Sequence, residues 1–362
     1  MIHHVLTVNP GSTSTKVALF RNEESVLEVE VRHSKEDVEA HPTVLGQLAM
    51  RRDTVRAALR KGFPDGVVPR LDAVVGRGGL LKPIPGGVYA VNEAMLDDLR
   101  SARYGEHASN LGALLAVEYA ARDNASALVV DPVVTDEMRD LARLTGLPDV
   151  QRRSVFHALS QRGAARRVAG QMGISYEQGR FLVAHMGGGI SIGAHDQGRV
   201  VDVINALDGE GPFSPERVGS LPLITALGLV LREKHSVQEL QRLALTRGGL
   251  FAHLGTNDLR QVQKMADNGD ERAALVFDAL AYNISKQISS LAPALLYEPG
   301  ARVDAVVLTG GLSRSVRLVE AVSGRLAHLG PCFALETDEM RVMADGAWRV
   351  LRGELVPLAY SS

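Results

Sequence analysis

Cysteine is all but missing from this chain: Cys332 stands alone among 362 residues. One thiol cannot close an internal disulfide. That excludes a disulfide-stapled scaffold and a Cys/His zinc site, and it points to a reducing, cytoplasmic compartment. Aromatic residues make up only 4%, which leaves few platforms for stacking nucleobases. Neither sign of charge prevails, since 40 Lys and Arg face 42 Asp and Glu for a net charge of −2. No global field therefore draws the chain to nucleic acid or to an anionic membrane. A run of about 18 apolar residues, the length of a membrane span, is absent. The opening residues lack a basic segment, and their apolar run breaks at Asn9-Pro10-Gly11, so no signal peptide is expected. What remains is ordinary globular composition, 45% hydrophobic and 23% charged, which excludes extensive disorder. At roughly 150 residues per domain, the length suggests two lobes.

Glycine, by contrast, is plentiful at 36 residues. Its placement follows a pattern of strands and helices mixed throughout. Strands are predicted at 3–8, 15–20, 25–31, 71–75, 127–131, 181–186, 190–194, 199–204 and 304–308, from short apolar or alternating runs bounded by turn residues. Helices are predicted at 42–61, 93–103, 108–122, 154–172, 257–267, 270–296, 313–329 and 340–352, and another opens with the capping-box pattern Ser236-Val237-Gln238-Glu239. Trp348, in the last helix, is expected to pack in a core. Two segments resemble each other: LTVNPGSTSTKVALF and FLVAHMGGGISIGAHDQGRVVDV both read as strand, polar glycine-bearing hairpin, strand. The repeat suggests a duplicated α/β domain with a cleft between the copies. It places the boundary near residue 150, with 1–150 as the first lobe, 151–339 as the second and 340–362 returning to the first.

Three polar turns carry the chemistry. The first, Asn9-Pro10-Gly11-Ser12-Thr13-Ser14-Thr15-Lys16, combines a glycine that lets backbone approach an anion with hydroxyl donors and a cation. It lacks the Walker spacing, and a strand follows it instead of a helix. The second is His185-Met186-Gly187-Gly188-Gly189-Ile190-Ser191, three glycines between apolar strands. In the third, Leu308-Thr309-Gly310-Gly311-Leu312-Ser313, a strand runs through glycines into a helix, which suits a nucleotide at a helix N-terminus. Each turn alone is equally readable as a plain hairpin or loop.

Taken with VVGRGGLLKPIPGGVYAVN, VDPVVTDEM, RRSVFHALSQ, DGEGPFSPERVGSLP and LGTND, these turns resemble the acetate kinase family, and within it the butyrate kinase branch. The resemblance spans residues 5–315. It implies the fold of the acetate and sugar kinase, heat-shock chaperone and actin superfamily: two actin-like lobes with a nucleotide cleft, ATP bound mainly by the second. It also implies Mg²⁺, a homodimer or higher homo-oligomer, and an activity, the reversible phosphorylation of butyrate or isobutyrate. By this resemblance Asn9, Ser12, Ser14 and Lys16 form the first phosphate loop, with Asn9 and Ser12 nearest the transferred group. His185 with Gly187, Gly188 and Gly189 forms the second. Arg217 takes the place of a catalytic arginine and His157 that of a transition-state histidine. Asp131 and Glu339 match the magnesium-linked carboxylates, while Asp258, Arg260, Gly310 and Gly311 frame the adenosine. Arg77 is the nearest candidate for the arginine that binds the substrate. Gly188 stands where acetate-type enzymes carry asparagine, and Gln161 where they carry a second histidine.

The chemistry of the residue types agrees. A fatty-acid carboxylate is ionised at neutral pH and needs no general base. What the transfer needs is relief of repulsion between two anions, alignment, and charge stabilisation on the equatorial oxygens. Arginine serves both anions with its planar fork, and carboxylates suit Mg²⁺. Leu80, Leu81 and Ile84, beside Arg77, are candidates for an apolar wall, with a core role as the equal alternative. Three rivals remain: an acetate or propionate kinase of the same fold, a nucleotide-switch ATPase of the actin or chaperone type, and a sugar kinase in which Asp131 would be the hydroxyl base. No peptide-binding region follows the ATPase-like segments, which speaks against the second.

Overall fold

The computed structural model of the chain describes residues 2–233 and 236–361. They form two compact units, one of residues 1–136 with 338–362 and one of 137–337. In chain order the strands are β1 (His4–Pro10), β2 (Ser14–Arg21), β3 (Glu24–Arg32), β4 (Ala73–Gly76), β5 (Val88–Ala90), β6 (Ser126–Val130), β7 (Arg180–Met186), β8 (Ile190–Asp196), β9 (Arg199–Ile204), β10 (Ala305–Thr309), β11 (Cys332–Ala334) and β12 (Leu358–Ala359). The first unit holds one sheet in the order β12-β5-β6-β4-β1-β2-β3, and the second holds β11-β10-β7-β8-β9.

The repeated hairpin extends into a repeated sheet. In the first unit β1–β2–β3 pair antiparallel, and β4 then β6 add parallel to β1. In the second, β7–β8–β9 pair antiparallel, and β10 then β11 add parallel to β7. All four residues of β4 and all five of β10 are buried, as expected for strands covered on both faces. The edge strand β3 alternates and turns Glu24, Glu28, Glu30 and Arg32 outward, which blunts an otherwise open edge.

Each sheet is closed by helices whose apolar stripes match it. In the first unit Val55 and Leu59 of the helix Leu48–Gly62, with Leu111 and Leu115 of the helix Asn110–Ala121, pack with Leu6, Val8, Val17 and Val74. The helix Glu339–Leu351 packs on the same sheet, and its buried Trp348 meets Phe20 edge-on at 5.6 Å. In the second unit Phe277, Leu280, Ile284 and Ile288 of the helix Glu271–Ser290 pack with Leu182 and Leu308. The helix Ala158–Gln171 packs Ala164, Ala165 and Val168 with Phe181, Val183 and Val307.

The units part earlier than residue 150 because residues 137–139 are tied into the second one. Glu137 pairs with Arg162 at 2.9 Å and accepts the Val200 N–H at 2.7 Å, while the Arg139 N–H reaches the Val201 carbonyl at 3.0 Å. The expected helix over 154–172 begins only at Ala158. His157 precedes it with φ −79° and ψ 67°, and its N–H goes to Ser191 Oγ at 3.3 Å instead of into a helical turn. Strands β5, β11 and β12 escape sequence reading because two or three residues carry no periodicity. Among the described residues no helix is long and apolar enough to cross a membrane.

Candidate active site

In the first unit, residues distant in sequence meet at the C-terminal ends of parallel strands. Asn9 lies at the end of β1, Arg77 just past β4 and Asp131 just past β6, the edge at which open α/β sheets bind ligands. Glu339, the first residue of the helix Glu339–Leu351, joins them there. Its carboxylate pairs with Arg77 at 2.9 Å and accepts a hydrogen bond from the Asn9 amide at 3.3 Å. Burial and the charge of Arg77 push the His107 imidazole below its ordinary value. Asp131 is 1% exposed and holds φ +37°, a left-handed backbone that a non-glycine residue seldom adopts. Such strain gathers at functional positions.

The turn between β1 and β2 closes through a hydrogen bond from Gly11 N–H to the Ser14 carbonyl at 2.8 Å, and Ser12 and Lys16 lie exposed upon it. Beneath it sits Arg51, fully buried. Its guanidinium donates to the Ser14 carbonyl at 2.6 Å, Thr15 Oγ1 at 2.9 Å, the Ser12 carbonyl at 3.4 Å and Gln47 Oε1 at 3.0 Å. Burial lowers its affinity for the proton, but a guanidinium remains charged. His33 meets Thr15 Oγ1 at 2.8 Å; burial first, then the charge of Arg51, hold its imidazole below 6.5. Sequence reasoning passed over Arg51, whose only signal was an arginine among the apolar positions of a helix. Of the proposed acyl wall, Leu81 and Ile84 are absorbed into the first unit's core, and Leu80 alone stays partly exposed.

In the second unit His185, next to last in β7, stacks on His157, with ring centroids 4.0 Å apart and planes 15° from parallel. His157 Nδ1 lies 2.8 Å from Ser191 Oγ. Arg217 rests on the glycine turn. A β-carbon at Gly189 would come within 2.3 Å of its Nη1, so only glycine admits the guanidinium. Arg217 Nη1 donates to the Ala206 carbonyl at 3.1 Å, and burial pulls its proton affinity down against the opposing charge of Glu216. Ser214, wholly buried, links the two pieces: its hydroxyl donates to the Gly188 carbonyl and accepts the Arg217 N–H at 3.1 Å. Gly310 follows β10 with φ +86°, and a β-carbon there would strike the Met186 backbone at 2.6 Å. Gly311 next to it is exposed. Asp258 caps the helix Leu259–Asp267 and is gripped through both its oxygens by Arg260, at 3.0 and 2.7 Å, on the exposed surface.

The structure thus brings Asn9, Arg77 and Glu339 into contact, seats Arg217 on the Gly187–Gly189 turn, and stacks His157 on His185. Asp258 and Arg260 contact chiefly each other. Arg51, Ser191 and Ser214, which hold these groups in place, were not singled out from sequence; buried hydroxyls have no pattern of their own.

The sequence profile of the Acetokinase family matches residues 120–350. A protein of Oleidesulfovibrio alaskensis described as "Probable butyrate kinase" is 55% identical, over 98% of this chain and 98% of that one. Among solved structures, the acetate kinase of Porphyromonas gingivalis superposes with a TM-score of 0.77 at 20% identity, covering 96% of this chain and all of the other. A propionate kinase of Francisella tularensis superposes at 0.71 and 17% identity, covering 95% and 98%. The shared architecture is the duplicated actin-like ATPase fold.

Proposed function

The chain belongs to the acetokinase family, and from that premise we propose that it moves the γ-phosphoryl group of ATP directly onto the carboxylate of a four-carbon fatty acid, butyrate or isobutyrate. A carboxylate oxygen attacks the γ-phosphorus in line. The bond to the β–γ bridging oxygen breaks, ADP leaves with its electron pair, and an acyl phosphate remains. Reversal makes ATP from the acyl phosphate. No proton needs to move, because the acid arrives ionised.

The observation that carries this reading is the half-buried Arg217 lying on a glycine turn beside the stacked His157 and His185. Charge must be stabilised on three equatorial oxygens, and a preorganised guanidinium out of bulk water does this best. In this reading Arg217, His157 and Asn9 act on the transferring group. Ser12, Ser14, Lys16, His185 and the glycines 187–189 hold phosphate oxygens, and Arg77 takes the carboxylate. Asp258, Arg260, Gly310 and Gly311 frame the nucleoside. Asp131 and Glu339 would hold Mg²⁺, which supplies charge neutralisation on the nucleotide phosphates. Their hard oxygens fit that ion. Mg²⁺ is commonly held by one or two carboxylates together with phosphate oxygens and water. A homo-oligomer in a reducing cytoplasm completes the reading.

The test is kcat/KM for the two- to five-carbon acids under one set of conditions. Two further methylenes at ~0.8 kcal/mol each make butyrate better than acetate by roughly fifteen-fold. Propionate and valerate fall between, because apolar pockets separate neighbouring chain lengths poorly. Acetate at or above butyrate would replace this substrate with that of an acetate kinase.

A further inference from the structure

We propose that a buried, one-directional hydrogen-bond chain, Tyr176–His195–Gln161–Ser191, fixes His157 in the tautomer that carries its proton on Nε2. The functional weight of this inference rests on the reading of His157 given above; the hydrogen-bond logic does not.

Five side chains are joined in series. Tyr176 Oη lies 2.8 Å from His195 Nδ1, and His195 Nε2 lies 3.2 Å from Gln161 Oε1. Gln161 Nε2 donates to the Ser191 carbonyl at 3.1 Å and to Ser191 Oγ at 3.0 Å. Ser191 Oγ lies 2.8 Å from His157 Nδ1. Gln161 and His195 are 0% exposed, Ser191 1% and Tyr176 3%, so these are protein hydrogen bonds without competing solvent. The backbone makes room for them. Gly193 of β8 sits where a β-carbon would come within 2.5 Å of Gln161 Oε1 and 3.0 Å of His195 Nε2. Gln161 is four residues beyond His157, so one helical turn brings its amide to the same face.

The direction of the chain follows from what each atom can do. A carbonyl oxygen only accepts, so the Gln161 atom facing the Ser191 carbonyl must be the NH₂ group, and this sets the amide the right way round. Ser191 Oγ then accepts twice, from Gln161 Nε2 and from the His157 backbone N–H at 3.3 Å. Both its lone pairs are taken. Only its proton is left for His157 Nδ1, so Nδ1 is an acceptor and the ring's hydrogen sits on Nε2. At the other end, Gln161 Oε1 can only accept, so His195 Nε2 bears a proton. A neutral His195 then takes the Tyr176 hydroxyl proton on Nδ1. Every bond points from Tyr176 toward His157.

The consequence is specific to phosphoryl transfer. A free imidazole exchanges between tautomers, and one of them turns a lone pair toward anionic oxygens. The chain removes that choice and leaves Nε2–H as the donating edge. Ser191 and Gln161 are therefore positioning residues: they act through His157.

Two-bond ¹⁵N–¹H correlation spectra of the whole protein at neutral pH read the tautomer directly, with His157→Gln assigning the signal. The wild type is expected to show Nδ1 bare and Nε2 protonated. Ser191→Ala should give a mixture of tautomers and lower kcat roughly tenfold, the worth of one hydrogen bond, with KM for ATP and for butyrate within about twofold. Gln161→Met, which keeps the serine hydroxyl but frees one of its lone pairs, should shift the tautomers the same way and by less. It serves as the variant if Ser191→Ala does not fold. A wild-type ring protonated on Nδ1 overturns the chain. The expected tautomer, lost in a folded variant whose kcat is unchanged, overturns instead the role of His157 in the reaction.

Discussion

The hairpin turns that open the two units share a topology but are held from below by different chemistry. Under the β1–β2 turn lies a buried cation, Arg51, whose guanidinium gathers the carbonyls of Ser12 and Ser14 and the hydroxyl of Thr15. Beside the β7–β8 turn lies a neutral series, from Tyr176 through His195, Gln161 and Ser191 to His157, with Ser214 tying Gly188 to Arg217. A buried cation that bonds several main-chain carbonyls sets the path of the chain, because its planar fork fixes where each acceptor must lie. A neutral chain can do what a cation cannot, which is to choose on which nitrogen a ring keeps its proton. The second unit does have its own arginine at the turn, but Arg217 sits on top of the glycines, not underneath. One arginine is scaffold, and the other is the one we propose as reagent.

Exchanging the two arginines for neutral residues should separate these roles. Arg217→Ala is expected to lower kcat on the order of 10³-fold, as charge-stabilising arginines do in phosphoryl transfer, with the melting temperature nearly unchanged. Arg217→Lys should recover little, since a point charge lacks the fork. Near-normal turnover in the alanine variant would remove Arg217 from the reaction.

Arg51→Met should do the reverse. It removes the donor to the Ser12 carbonyl and to Gln47 Oε1, while the Ser14 carbonyl keeps the Gly11 N–H and Thr15 keeps His33, and should cost about 2 kcal/mol of stability. Urea unfolding followed by circular dichroism measures this. A variant as stable as the wild type would mean that water or other groups hold the turn.

The acidic pair at the edge of the first sheet gives a smaller effect. Glu339→Gln keeps the shape that meets Arg77 and Asn9 but lowers the charge, and Asp131→Asn does the same at the strained end of β6. Each is expected to raise the Mg²⁺ needed for half-maximal rate by about tenfold. An unchanged Mg²⁺ dependence in both would assign them to structure.

The smallest effect is a pH slope to which the charged turn contributes. His33 is held below 6.5 in the folded protein, mainly by burial and then by Arg51. Below its unfolded pKa of about 6.5 the unfolded chain takes up the proton first, so the contribution of neutral His33 is complete above that pH and is lost as pH falls toward the lower folded value. Urea midpoints between pH 7.5 and 5.5 should fall on acidification, and His33→Gln should flatten part of that fall. His107, lowered by burial and Arg77, retains the remainder. An identical slope in the variant would show that His33 carries no linkage.

Local patterning made much of this fold legible in advance. The hairpins around Asn9–Thr15 and Met186–Ile190 lie where alternating apolar runs meet glycine. The cap at Ser236 lies where its side chain can meet an exposed helix N–H group. The turns that carry the proposed phosphate-loop residues were legible for the same reason, as they are contiguous in the chain. His157 was misread as helical, because nothing in Ser154-Val155-Phe156-His157 announces that its N–H will be claimed by Ser191.

Contiguity is the dividing line. Turns, caps and strand faces depend on residues a few positions apart, so the order of amino acids alone settles them: the duplicated α/β pattern, the glycine turns and the near-absence of disulfide chemistry were all readable. The partners that make those turns a candidate site lie far along the chain. Glu339 reaches Asn9 across 330 residues and Ser191 reaches His157 across 34. Whether an arginine is reagent or scaffold, or which nitrogen of a ring holds its proton, depends on burial and on the donors and acceptors facing it. Those conditions arise only when the sheets close and water is excluded, since the same side chains in an open chain would bond to solvent and have no fixed direction.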